Sequence, residues 1–143
     1  MLCPFHRNRR RGKRTGVAAA EFAVCLPVIV LSVLATIEAC TMVFLKQSLS
    51  IAAYEGARSA LTQSASSAEV RRVAEQVLAE RRVNGGTVTV SPANLSSIQP
   101  GQYLTVTVTA PAAGNNAVPL RFYRGRTLTG SATMMKEFVT TNP

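Results

Sequence analysis

The sequence predicts an α+β fold: a long N-terminal transmembrane and amphipathic helix, a second helix, then a small antiparallel β-sheet. Three observations carry this. Residues 22–37 contain no charged side chain. Helix-period apolar spacing then persists to residue 61, and a second amphipathic stretch follows. From Thr87 the period changes to two, with valines and threonines alternating.

The first element begins after a block of positive charge. Arg7, Arg9, Arg10, Arg11, Lys13 and Arg14 are six of the sixteen Lys and Arg residues, with no acid among them, and they account for most of the net charge of +9. A basic block abutting an apolar run reads as the cytoplasmic flank of a membrane span, and less readily as a nucleic-acid-binding tail. At roughly 1.5 Å per residue, residues 17–45 exceed a hydrocarbon core about 30 Å thick. The organisation is therefore a basic cytoplasmic leader, 1–16, a transmembrane helix, 17–45, and an extracytoplasmic α+β domain, 46–143. That places the chain in the inner (cytoplasmic) membrane as a single-pass protein with its N-terminus inside. Gly16 marks a flexible joint at the membrane surface, and Pro27 falls within the helix, where it removes one hydrogen bond and bends the span.

Beyond the span, Leu45, Leu49, Ala52, Ala53, Gly56 and Ala60 keep three- and four-residue spacing, so one helix over 17–61 is expected. Glu55 and Arg58 can pair on its exposed face. Ser66-Ser67-Ala68-Glu69 has the spacing of a capping box and opens a second helix with Val70, Val73, Ala74, Val77 and Leu78 inward. Asn84-Gly85-Gly86 is its stop signal. Thr87 to Ser91 and Tyr103 to Thr109 are two strands separated by the Pro100-Gly101 turn, with Val88, Val90, Leu104, Val106 and Val108 facing the core. Residues 112–119 form a loop. Residues 126–139 favour a third strand, with Met134 and Phe138 in the core and Gly130 as a bulge.

Much chemistry is excluded. There is no aspartate, His6 is the single histidine, and the outer domain has no cysteine. A metal centre lacks clustered ligands, and a serine nucleophile lacks its usual base, so no enzyme activity and no cofactor are expected. Cys25 and Cys40 lie roughly 22 Å apart along one helix and cannot bridge. Arg121, Arg124 and Arg126 with Phe122, Tyr123 and Tyr103 do not make the continuous basic groove a nucleic-acid binder needs. Glu21 is the informative residue, because an ionised acid in hydrocarbon costs about 2.5–3.5 kcal/mol unless it has a partner or sits at headgroup level.

Gly16-Val17-Ala18-Ala19-Ala20-Glu21-Phe22, after a short basic leader, resembles the processing site of type IV pilin-like proteins. Tyr54-Glu55-Gly56-Ala57-Arg58 is similar to the Glu-Gly-Ala-Arg signature of TadE-like proteins, minor pseudopilins of tight-adherence (Flp-type) pilus systems. The resemblance covers Gly16 to about Leu61. It implies a structural component in pilus or related secretion-apparatus biogenesis, cut by prepilin peptidase between Gly16 and Val17. It also implies that Glu21 and Phe22 stay in the helix for assembly. Implied partners are prepilin peptidase, other pilins and pseudopilins, the assembly platform and the lipid bilayer, without nucleic acid. Val17 stands where major pilins often have phenylalanine, and the chain is longer than a small major pilin, so a minor component fits. Cleavage would create an α-ammonium at Val17, and a small axial stagger would let that cation meet Glu21 of a neighbour in a low-dielectric bundle. The competing reading is an uncleaved, signal-anchored envelope protein with a partner-binding outer domain.

Overall fold

The computed structural model describes residues 14–62, 65–117 and 122–136. The expectations for the leader before Arg14, for Arg121 and for Phe138 in the last strand lie outside the described residues. The chain divides into two compact units, Met1–Thr36 and Ile37–Pro143. Helix α1, Arg14–Ser59, runs through both.

In the first unit α1 begins before Gly16, so the joint expected there is helical instead. Glycine in a helix interior costs only about 1 kcal/mol, which the alanines that follow offset. Pro27 lies inside the helix without ending it. Residues 16–33 are exposed on every face, including Phe22, Ile29 and Leu31. Ser32 Oγ donates to the Val28 carbonyl and Thr36 Oγ1 to the Ser32 carbonyl, each at 2.8 Å. Both hydroxyls are thus satisfied within the helix, as a hydrocarbon environment demands.

In the second unit α1 turns amphipathic. Met42, Leu45, Leu49, Ala52, Ala53 and Ala57 form its buried stripe, and the three alanines are small enough to let other backbones come close. Burial begins with Glu38 and Met42, ahead of residue 46. Helix α2, Ser67–Glu80, opens on Ser66, whose side chain accepts a hydrogen bond from the Glu69 backbone N–H. The capping box is half made, because the Glu69 carboxylate turns instead to Arg72 at 2.6 and 2.9 Å. Val70, Ala74 and Leu78 are buried; Val73 and Val77 are half-buried.

The stop of α2 differs from expectation. The left-handed residue is Arg82, φ 56°, ahead of the two glycines. Val83 N–H bonds the Leu78 carbonyl at 2.9 Å and Arg82 N–H the Ala79 carbonyl at 3.0 Å, the paired bonds of a Schellman ending. Val83 packs on the core, as that motif's apolar contact requires.

The sheet has order β1-β2-β3, all antiparallel: β1 Thr87–Ser91, β2 Tyr103–Pro111, β3 Thr127–Met135. β2 runs two residues further than expected, with Pro111 as its last, a strand end where a missing N–H is tolerated. Val88, Val90, Leu104, Val106, Val108 and Ala110 face the core, and threonines line the other face, where Thr105 and Thr133 hydroxyls meet at 2.9 Å. Between β1 and β2 a short 3-10 turn, Leu95–Ser97, buries Leu95, and Ile98 follows it into the core, a plug that the sequence pattern does not announce.

Gly130 is no bulge. It pairs in register with Val108 and is buried. A Cβ there would lie 2.5 Å from the Leu49 carbonyl carbon and the Ser50 nitrogen, so β3 crosses directly over the α1 backbone. The Lys46 ammonium donates to the neighbouring Thr129 carbonyl, pinning the same crossing.

Candidate functional site: the apolar helix and a buried carboxylate

The residues of the expected processing site lie together at the start of α1. Gly16 has nothing within 4 Å of where a Cβ would stand, Val17 and Phe22 are each 60% exposed, and Glu21 is exposed. Glu21 therefore stands among exposed apolar side chains of its own helix.

The Glu55 to Arg58 signature lies in the second unit and divides by role. Gly56 and Ala57 are buried. A Cβ on Gly56 would meet Ala74 Cβ at 3.3 Å, Val106 Cγ1 at 3.4 Å and the Val70 carbonyl at 3.5 Å, so this glycine is where α1, α2 and the middle strand converge. Arg58 is exposed and Glu55 half-buried. They make no ion pair: among the described residues the one such bridge is Glu69–Arg72. The signature's small residues thus work by close packing, and the pairing expected of its charged members is not formed.

Glu38 is not among the residues that the sequence singles out. It is fully buried, and neither carboxylate oxygen has a hydrogen-bond partner among the described residues. It lines a cavity of about 150 Å³ together with Tyr123, Arg124, Asn116 and the turn at 112–114. An adjoining cavity of about 550 Å³ shares Gly114 and Asn116 and is walled by Arg81 and Arg82. The available signal was that Glu38 is the first charge after the uncharged run 22–37. Cys25 and Cys40 are free and exposed. The described residues contain no group of three or more His, Cys, Asp or Glu side chains placed to hold a metal.

One N-terminal helix, long and apolar enough to cross a membrane, joined to a small α+β head, defines a membrane-anchored protein. A family model described as TadE-like protein matches residues 16–58, so the chain carries a TadE-like segment that holds both Gly16 and the Glu-Gly-Ala-Arg signature. That match associates the chain with the Tad pilus. No curated protein and no solved structure matches it.

Proposed function

We propose that this chain is a minor pseudopilin of a Tad-type pilus or related secretion apparatus, cut by prepilin peptidase between Gly16 and Val17. The observation that carries the reading is the TadE-like match, which opens on Gly16 and closes on Arg58. Before cleavage the chain is a single-pass protein of the inner membrane, with its basic leader cytoplasmic and its α+β head outside, in keeping with six cations ahead of the span. Its role is structural and non-enzymatic. Its partners are the peptidase, other pilins or pseudopilins, the assembly platform and lipid.

The geometry supports a division of labour. A peptidase needs an extended strand at its cut, and glycine at position 16 makes local unwinding of α1 easier by about 1 kcal/mol than alanine would. Among the described residues no cation pairs with the exposed Glu21, which can therefore meet the new Val17 ammonium of a neighbour, each charge neutralising the other where an isolated one is costly. N-terminal sequencing of membrane-extracted protein tests the reading: a mature chain beginning at Val17 is expected. An intact leader in cells with active peptidase would overturn it and favour an uncleaved signal-anchored protein.

A further inference from the structure

We propose that the cavity beside Glu38 is a headgroup site for an aminophospholipid, its ammonium received by the Glu38 carboxylate and its phosphate by Arg124. The inference rests on reading the uncharged run as the membrane span and is independent of cleavage at Gly16.

The carboxylate sets the requirement. A buried ionised acid without hydrogen bonds is costly in a low-dielectric interior, so a fully buried Glu38 with both oxygens unpartnered calls for a cationic donor from outside the described residues. A primary ammonium is compact and has three N–H donors, enough for both oxygens at once. The rest of the lining is not anionic. Arg124 lines the same cavity, as do Tyr123 and Asn116. A bare divalent cation would meet one carboxylate and be repelled by the guanidinium, and the described residues offer no further acid to complete its shell. A zwitterion carrying an ammonium and a phosphate satisfies both charges. The cavity of about 150 Å³ is the right order for such a group, roughly five waters' worth of liquid volume.

Depth along the chain names the source. Residues 17–37 of α1 rise roughly 32 Å at about 1.5 Å each, enough to fill the hydrocarbon, and Glu38 directly follows them, so this acid stands at headgroup level. The adjoining cavity walled by Arg81 and Arg82 adds cations for the phosphate of a lipid. Quaternary choline has no N–H to give and carries three methyl groups, so the site discriminates ethanolamine from choline headgroups.

The test uses the full chain, purified in detergent and exchanged into phosphatidylcholine vesicles containing either phosphatidylethanolamine or phosphatidylglycerol, with retained lipid counted by native mass spectrometry. Phosphatidylethanolamine should be retained at least ~10-fold over the other two, the size expected of one charge-assisted hydrogen-bond set. Glu38→Gln should abolish that preference, and Arg124→Gln should weaken retention of all phospholipids. Soluble phosphoethanolamine should compete; if it binds while the lipid does not, the lipid assignment is wrong. Equal retention of the three lipids, or a preference unchanged by Glu38→Gln, overturns the proposal. Should Glu38→Gln fail to fold, the unaltered chain is tested against mono-, di- and trimethylated phosphatidylethanolamine: stepwise loss supports the site and indifference sinks it. Carbodiimide coupling of Glu38 to a lysine of another subunit in the assembled apparatus would also overturn it. A failure of cleavage at Gly16 would leave these outcomes unmoved.

Discussion

Gly130 and Gly56 show how much rides on a missing methyl group. The Cβ of an alanine at 130 would overlap the main chain of α1 at 2.5 Å, and a helix backbone cannot step aside as a flexible side chain would. Gly130→Ala should therefore cost about 3 kcal/mol or more, near or beyond the upper end for overpacking, read as a fall in the urea midpoint. Gly56 is more forgiving, since its added Cβ would sit at 3.3–3.5 Å from its neighbours. Alanine there should stay within about 1 kcal/mol of the parent, its better helix propensity offsetting a small shift, while Gly56→Val should cost about 1–3 kcal/mol. The sequence reveals that both glycines sit inside regular elements but not what passes over them. Gly130 reads as a bulge because no local pattern shows that α1 lies against β3. Glu38 is hidden for the same reason: the residues that line a cavity with it, 112–114, 116 and 123–124, are more than seventy positions away, and period and composition carry no such information.

The elements themselves are far more legible. Both helices and all three strands follow from spacing, and the inward set Val88, Val90, Leu104, Val106 and Val108 is the buried one, because a period-two pattern admits only one choice of face. What escapes is how elements end. The α2 stop falls on Arg82 instead of the glycine pair, since the Schellman bonds close as soon as Val83 can reach the core, and the left-handed strain of one arginine is smaller than the burial gained. Arg82→Gly should then stabilise the protein by about 1 kcal/mol, seen as a raised Tm. At the other end, Ser66→Ala should cost about 1 kcal/mol by orphaning the Glu69 N–H. The Arg72 guanidinium, hydrogen-bonded to Glu69, holds that carboxyl below the usual carboxylate range. A depressed acid stabilises above its unfolded pKa and loses the contribution as pH falls through the folded one, so acidification loosens this turn. A carboxyl NMR titration should show Glu69 ionising at lower pH in the parent than in Arg72→Gln. Equal midpoints would mean that the pair is not formed in solution.

On the scale of the whole molecule the α+β architecture and the TadE-like segment were both readable, the latter because it depends on short contiguous motifs. Assembly is where the proposal about Glu21 belongs: Glu21→Ala should be processed normally yet be absent from the assembled apparatus, judged by its mass in the membrane precursor pool and in the sheared fraction. A bulky residue at Gly16 should leave the uncut mass instead. The early onset of burial along α1 has a practical consequence for anyone wanting the head without detergent. Met42 and Leu45 belong to the same apolar cluster as Leu104 and Val106, so trimming at Lys46 would amputate two ribs of the domain along with its anchor. A version starting at Ile37 should melt cooperatively, and one starting at Lys46 should not.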